Sequence, residues 1–242
     1  MRLVPSLLLF AFLALPLHAQ EGFETDVIKT SAGALEITFL GHASLMMKFG
    51  GRTIYVDPFS EVADFSKLPK ADLLLITHEH EDHFDLKAIE AVRAKHTKII
   101  LTEKCAETLS NEMVMKNGDR QVILYIKIEA VPAYNLVHVR ENGRPYHPVG
   151  QGNGYILAFG TTRIYIAGDT ENIPELKILE NIDIAFLPMN LPYTMTPAMV
   201  ADAADEFKPK VLYPYHTGDT DISKLTKLMH HADVEVRIRK MQ

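Results

Sequence analysis

The chain has 242 residues, of which 47% are hydrophobic, and a formal net charge of −6. This length suits one α/β domain with a substantial core, and the apolar content excludes a disordered protein. The acidic balance and the lack of a basic run argue against nucleic acid and against anionic membrane surfaces as partners.

Residues 1–19 have the pattern of an export signal. Arg2 precedes the apolar stretch Leu7–Leu15, and Ala19 supplies a small residue before the expected cleavage point. The stretch is short for a membrane span. The sequence therefore predicts a signal peptide, a mature domain over residues 20–242, and a periplasmic or secreted protein with no stable membrane insertion after the signal is removed. A retained N-terminal anchor is the alternative.

The first two thirds of the mature chain have mainly β-type patterns. Short β-rich segments separated by glycine turns predict an antiparallel start with a tight hairpin. A continuous apolar run indicates a strand buried on both faces, and apolar residues at helical spacing follow it. The predicted elements are strands at Glu36–Leu40, Ser44–Phe49, Thr53–Val56 and Leu73–Ile76, a helix at Leu86–Lys95, and strands at Lys98–Leu101, Val122–Tyr125, Lys127–Val131, Tyr155–Phe159 and Arg163–Ala167.

The final third alternates strands with helices. Thr196 is the predicted N-cap of a helix in which Pro197 takes the first position. An antiparallel half followed by this alternation predicts an α/β protein with two sheets and helices outside them. The predicted elements are strands at Ile184–Leu187, Lys210–Tyr213 and Val234–Ile238, and helices at Pro197–Phe207 and Ile222–His231.

Polar residues directly follow several of the predicted strands. In α/β sheets, ligand sites collect at the carboxyl ends of strands, because loops from distant parts of the chain converge there. We therefore expect these residues to form one site. They are Asp57, His78, Asp169, Asn190 and His216.

The densest polar cluster is Thr-His-Glu-His-Glu-Asp-His-Phe-Asp at residues 77–85. Imidazole and carboxylate are the usual ligands of zinc, manganese and ferrous iron. His78 and His80 lie two apart, so in an extended segment both point to the same side and can reach one ion. Asp82 and His83 begin the turn into the next helix and suit a second ion. A helix cap alone needs one Asp and no histidine.

Residues outside this cluster complete the predicted centre. Asp169 is expected to bridge the two ions and His216 to complete the second site, which would hold two metals about 3.5–4 Å apart. Asp57 is expected to orient a ligating imidazole by accepting its second N–H, although a simple turn residue is the alternative. His42 is expected close by, where it satisfies a buried backbone group or contacts the substrate. We expect one or two ions, zinc first, with Mn2+ or Fe2+ as alternatives.

Several motifs together resemble the metallo-β-lactamase superfamily, over residues 35–217. Two of them narrow the resemblance to a branch that contains the ascorbate-phosphate lactonase and N-acyl-phosphatidylethanolamine phospholipase D. The resemblance implies an αββα sandwich, with two central mixed sheets flanked by helices and the metals at their shared edge. The family motifs are His78-x-His80-x-Asp82-His83, Ala167-Gly168-Asp169-Thr170 and Tyr215-His216, and the branch motifs are Gly41-His42-Ala43-Ser44 and Val56-Asp57-Pro58.

One departure from the family pattern concerns the third histidine of the first metal. The family often places it at a mid-chain strand end, and here that position holds Asn135. We expect His147 to serve as a ligand or substrate contact, with Asn135 beside it. If neither reaches the centre, the first site is weak and the enzyme works with one tightly held metal.

These residues predict an exported metal-dependent hydrolase that uses a metal-bound hydroxide on an ester, lactone or phosphodiester bond of a small-molecule substrate. Asp82 is the expected catalytic residue, which orients the hydroxide and passes a proton to the leaving group. Two alternatives remain. The same ligand set can hold two irons for redox chemistry, and a degenerate, non-catalytic site would make the protein a metal-binding or sensing protein.

Overall fold

A computed structural model describes residues 22–229 and 233–241. The predicted signal peptide and its retained-anchor alternative lie outside the described residues, as does the predicted end of the last helix at residues 230–231. Within the described part of the chain, no helix is both long enough and apolar enough to cross a membrane.

The first sheet begins with an antiparallel meander. Its strands are β1 (Glu24–Thr30), β2 (Gly33–Gly41), β3 (Ser44–Phe49), β4 (Arg52–Val56), β5 (Leu73–Leu75), β6 (Lys98–Leu101) and β7 (Met113–Val114), in that spatial order. β1 to β4 pair antiparallel, and β5 to β7 add in parallel beyond β4. Gly50 and Gly51 join β3 to β4 with φ of 55° and 75°, as a two-residue hairpin turn requires.

The second sheet repeats the same arrangement. Its strands are β8 (Arg120–Ile123), β9 (Ile126–Ala133), β10 (Gly152–Phe159), β11 (Thr162–Ile166), β12 (Ile184–Pro188), β13 (Val211–Tyr215) and β14 (Glu235–Val236). β8 to β11 are antiparallel, and β12 to β14 continue in parallel. A long loop, residues 134–151, connects β9 to β10.

The helices are short and connect the parallel strands. They are α1 (Leu86–Val92), α2 (Glu103–Ala106), α3 (Pro197–Phe207) and α4 (Ser223–Leu228), together with 3-10 turns at Phe65–Lys67 and Pro174–Ile178. The Thr196 side chain accepts a hydrogen bond from the Met199 backbone N–H at 3.1 Å, so α3 begins at Pro197 as predicted.

Apolar side chains form three layers. One layer lies between the sheets, a second joins the outer face of the second sheet to α3, and a third joins the outer face of the first sheet to α1. Strand alternation distributes the residues, so Leu73 and Leu75 enter the central layer while Leu74 enters the outer one. Burial on both faces explains the continuous apolar run of β5. The predicted αββα sandwich is confirmed.

Some element boundaries differ from the prediction. β1 was not predicted, because its sequence Glu-Thr-Asp-Val-Ile-Lys-Thr is largely polar and only its pairing with β2 holds it as an edge strand. The helix predicted to reach Lys95 ends at Val92, since Arg93 already has extended backbone angles. The Val92 carbonyl instead accepts a hydrogen bond from the Ala71 backbone N–H at 2.8 Å.

Phe186 on β12 is expected to be a major contributor to stability. Its side chain is fully buried, and its ring stacks on that of Tyr213 with centroids 4.9 Å apart. Replacement by alanine is expected to lower the free energy of unfolding by about 3–5 kcal/mol, because the site loses its packing and keeps a cavity. Urea denaturation measures the change, with Val122→Ala as a surface control. A loss below about 1 kcal/mol would contradict this packing.

Candidate metal centre

The predicted site residues meet at one edge of the sandwich. His42 follows β2, Asp57 follows β4 and His216 follows β13, each directly after the last strand residue. All three have left-handed backbone angles, with φ of 53°, 42° and 46°. Such angles cost free energy in non-glycine residues and persist where the surroundings hold them. The His216 backbone N–H, for example, donates to the His42 carbonyl at 2.9 Å, which fixes one sheet's loop to the other's.

Gly168, two residues after the end of β11, also has a left-handed backbone angle. Its φ is 63°, and a Cβ at this position would lie 2.8 Å from the Asn153 carbonyl oxygen and 3.0 Å from the Thr77 Cβ. Only glycine therefore lets this turn approach the neighbouring loop closely. The turn places the carboxylate of Asp169 in the space between the two sheets.

Three histidine nitrogens form the first group of the centre. The Nδ1 of His80 lies 3.1 Å from the Nε2 of His78 and 3.2 Å from the Nε2 of His147. The Oδ2 of Asp169 approaches the same group, at 3.2 Å from the Nε2 of His147 and 3.9 Å from that of His78. His147 therefore lies where a third histidine ligand was expected.

The second group contains one carboxylate and two histidines. The Oδ2 of Asp82 lies 3.8 Å from the Nε2 of His83 and 3.6 Å from the Nε2 of His216. The Oδ1 of Asp169 lies 3.4 Å from each of these nitrogens. The two oxygens of Asp169 thus face the two groups, as a bridging carboxylate would.

The chemistry of these atoms fits a divalent cation. His83 Nε2, His216 Nε2 and Asp169 Oδ1 are buried and have no hydrogen-bond partner within the described residues. Unpaired buried polar atoms are rare and costly, and here three of them converge. Ligands about 2.0–2.1 Å from a tetrahedral zinc lie about 3.3 Å from one another, which matches most of the separations above. The donor set of imidazole and carboxylate suits zinc, manganese or ferrous iron.

The electrostatics of the centre also favour a cation. Burial alone would lower the pKa of His83, but the carboxylates of Asp169 and Asp57 raise it to about 9. Burial lowers the pKa of the neighbouring His78, His80 and His216. The carboxylates therefore favour positive charge beside His83, which a cation bound at its Nε2 would also supply.

Hydrogen bonds at the ring nitrogens that face away from the centre orient the imidazoles of His83 and His78. The Nδ1 of His83 lies 2.8 Å from the Oδ2 of Asp57, which leaves Nε2 directed into the centre. Asp57 is held in turn by Thr77, whose backbone N–H and hydroxyl donate to it at 2.8 and 2.6 Å. The Thr77 hydroxyl also lies 3.0 Å from the Nδ1 of His78. Asp57 thus has the predicted orienting position, and Thr77 is a site residue that the sequence pattern did not reveal.

Asp57→Asn is expected to weaken metal binding about 10- to 100-fold, because the amide changes the hydrogen bond that fixes the His83 ring. Competition with a chromophoric chelator measures the affinity, and circular dichroism checks the fold. Asp64→Asn is the matched control, since the Asp64 side chain is 52% exposed. Equal metal affinity in the wild type and Asp57→Asn would show that Asp57 is only a turn residue.

Asn135 lies behind His147 and faces away from the centre. Its Oδ1 accepts the His147 backbone N–H at 3.0 Å and lies 2.5 Å from the His147 Nδ1, and its Nδ2 donates to the Tyr193 carbonyl at 2.8 Å. The Asn135 backbone N–H donates to the His147 carbonyl at 2.9 Å. The loop thus folds back on itself, and Asn135 lies beside His147, as expected, and orients it.

The buried Glu171 also shapes this loop, and sequence reasoning missed it. Its carboxylate accepts the backbone N–H groups of Leu136, Val137 and His138 at 2.6, 2.6 and 2.7 Å. Burial raises the pKa of Glu171, but these hydrogen bonds outweigh it and leave the pKa below the ordinary value. The only sign of this role in the sequence is the position of Glu171, two residues after Asp169.

His42 has a different contact from the one expected. Its Nε2 bonds the Oδ2 of Asp82 at 2.9 Å, whereas the sequence predicted a buried backbone group or the substrate as its partner. Burial raises the pKa of Asp82, but the His42 hydrogen bond and the nearby His83 outweigh it and hold the pKa well below the ordinary value. Asp82 is therefore ionised at neutral pH, with one oxygen directed into the second group.

Comparisons with known proteins indicate the family of the chain. The β-lactamase superfamily domain matches residues 36–216. A UPF0173 metal-dependent hydrolase of Nanoarchaeum equitans is 30% identical over 78% of this chain and 87% of its own, and one of Thermococcus kodakarensis is 32% identical over 75% and 84%.

Solved structures extend the comparison. A crystal structure from Parabacteroides distasonis, determined as that of a candidate metal-dependent hydrolase, is 52% identical with a TM-score of 0.87, over 91% of this chain and all of the other. A metallo hydrolase of Ignicoccus hospitalis shares the fold at 23% identity, with a TM-score of 0.71 over 86% of this chain and 95% of its own. The chain therefore belongs to the metallo-β-lactamase superfamily, as one of its metal-dependent hydrolases.

Proposed function

We propose that the protein hydrolyses an ester, lactone or phosphodiester bond in a small molecule, with one or two divalent cations, zinc first, held in the centre described above. The observation that carries this proposal is Asp169, whose two oxygens face two separate groups of ligand atoms. His78, His80 and His147 would hold one cation, and Asp82, His83 and His216 the other. Bound cations supply Lewis acidity and lower the pKa of coordinated water toward neutrality.

The residues of the chain determine where a substrate and a water can lie. Asp82 is 37% exposed at the side chain, so it borders the open cavity as well as the second group. Because its pKa is well below neutrality, it suits accepting a hydrogen bond from the attacking water better than donating a proton. His42 keeps this carboxylate in position through the bond to Oδ2. We thus propose Asp82 as the residue that orients water.

The cavity at the centre suits a small molecule. Its volume is about 400 Å³, within the usual range for small-molecule sites. Its walls are His80, Glu81, Asp82, Arg140, Tyr146, His147, Asp169, Asn190, Tyr193 and His216. A nucleic-acid partner is disfavoured because the chain as a whole is acidic and lacks a basic run.

A degenerate, non-catalytic site is the weaker alternative. Its only support in the sequence is Asn135 at the strand end where the family often has histidine. His147 Nε2 lies 3.2 Å from His80 Nδ1, which supports a first group with three histidines and weakens this alternative. The narrower resemblance to the lactonase and phospholipase D branch stays a prediction.

Export is a separate part of the proposal and depends on residues 1–19 alone. Their basic start, apolar stretch and small residue before the cut support delivery to the periplasm or the medium. Fractionation of cells that express the full chain tests it. A protein that keeps its N-terminus and stays in the cytosol would contradict export without affecting the assignment of the metal centre.

A substrate panel tests the proposed reaction. Residues 20–242 are purified, loaded with Zn2+, Mn2+ or Fe2+, and assayed against matched esters, lactones and phosphodiesters. We expect turnover of at least one class, and loss of that turnover when the metal is removed by a chelator. Protein that holds two metals per chain and turns over none of the panel would contradict the proposal.

A further inference from the structure

Arg140 is a cation at the cavity that the proposed chemistry does not use. It is the one lysine or arginine among the residues that line the cavity. Its side chain is exposed, and no carboxylate of residues 22–229 and 233–241 lies within ion-pair distance of it. A guanidinium without a carboxylate partner at a cavity wall is suited to bind an oxyanion.

The loop that carries Arg140 holds it in a defined position. Its backbone N–H donates to the Arg144 carbonyl at 2.7 Å, and its carbonyl accepts the Gly143 N–H at 2.8 Å, which forms a short hairpin. The guanidinium carbon lies 5.0 Å from the centre of the Tyr146 ring. This cation–π contact orients the group, so less side-chain entropy is lost when a ligand binds.

His80 places a second donor beside Arg140. The Nδ1 of His80 faces the first group of ligand atoms, so a cation bound there leaves the ring proton on Nε2. That Nε2 lies 3.4 Å from the Nη2 of Arg140. Both atoms are then donors, and neither can accept from the other. The Arg140 Nη2 also donates to the Tyr146 carbonyl oxygen at 3.4 Å, and an added oxygen acceptor next to it would give the Nε2–H of His80 a partner as well.

We propose that Arg140 and the Nε2–H of His80 together bind an anionic oxygen group of the substrate, a phosphate or a carboxylate. The hydrolase would then act on small anionic molecules whose anionic group lies next to the bond that is cleaved. The rings of Tyr146 and Tyr193, edge to face at 5.0 Å, form an adjacent wall for the uncharged part. This inference rests on the proposed function for the cleaved bond, whereas oxyanion binding is measurable without turnover.

Isothermal titration of the zinc-loaded full chain with inorganic phosphate, and separately with acetate, tests the subsite. Arg140→Ala is expected to weaken binding about 10- to 100-fold, because a charge-assisted hydrogen bond is lost. Arg140→Lys is expected to be intermediate, since lysine keeps the charge but not the fork of donors. Arg144→Ala is the matched control, because Arg144 lies on the same hairpin and outside the cavity walls. The ion that loses more affinity in Arg140→Ala identifies phosphate or carboxylate as the recognised group.

The outcomes separate this inference from the proposed function. Loss of affinity in Arg140→Ala alone, with unchanged metal content, supports the subsite even if the substrate panel shows no turnover. Equal affinity in the wild type and Arg140→Ala overturns it, even if turnover is normal, because the ion then binds without Arg140. Equal losses in the Arg140 and Arg144 variants also overturn it, since general surface charge would explain them. Wild-type protein that binds neither ion overturns it as well.

Discussion

Asp169→Ala is expected to abolish activity and to empty both halves of the metal centre. The two carboxylate oxygens of Asp169 face the two groups, with Oδ2 3.2 Å from His147 Nε2 and Oδ1 3.4 Å from both His83 Nε2 and His216 Nε2. Removing one partner from a buried charged cluster costs about 3–5 kcal/mol, which corresponds to about 10²- to 5 × 10³-fold in rate or affinity.

Metal analysis and kinetics of the purified variant check this prediction. Asp219→Ala, which changes the same residue type on an exposed turn, is the control and should keep both metals and full turnover. The Asp169 variant should retain its secondary structure by circular dichroism, because Asp169 is not part of any apolar layer. Normal metal content in Asp169→Ala would contradict the bridging role.

His147→Ala is expected to lower metal content by one ion and activity by about 10- to 100-fold, since the first group loses one of its three nitrogens. The second group contains no atom of His147, so its metal should remain. The loss should therefore be smaller than for Asp169→Ala. Added imidazole should restore part of the activity, because a free ring can enter the space left by the side chain.

His96→Ala is the matched control for this variant, because the His96 side chain is 63% exposed and faces Asp72, which belongs to neither ligand group. It should leave metal content and rate unchanged. If His147→Ala keeps both metals and full activity, the first group is completed by another residue and the assignment of His147 is wrong.

The sequence predicted the sandwich because burial leaves a strong pattern on strands. The run Leu73–Leu75 is apolar on both faces since the sheet is covered on both sides, and helix α3 begins where Thr196 and Pro197 indicate. The metal-ligand pattern at residues 77–85 could be recognised equally well, because its histidines and carboxylates are close together in the sequence. β1 was missed, since its placement depends on a partner strand more than on its own composition.

The site residues whose contacts the sequence did not reveal act between distant segments of the chain. His147 reaches the centre only because the loop folds back through its bonds to Asn135, and Glu171 holds the start of that loop through backbone N–H groups. Backbone donors leave no mark on the sequence, so neither arrangement could be derived from spacing. His42 was placed near the ligands, but its bond to Asp82 depends on a left-handed backbone angle that the sequence does not reveal.

Anomalous X-ray diffraction from crystals of the zinc-loaded protein tests the central claim most directly. We expect an anomalous peak on each side of the Asp169 carboxylate, or a single peak at one of these two positions if the protein holds one ion. One should lie about 2.0–2.2 Å from the Nε2 of His78, the Nδ1 of His80 and the Nε2 of His147, and the other at such distances from Asp82, His83 and His216. Zinc bound elsewhere, with these side chains hydrogen-bonded to one another and no peak between them, would contradict it.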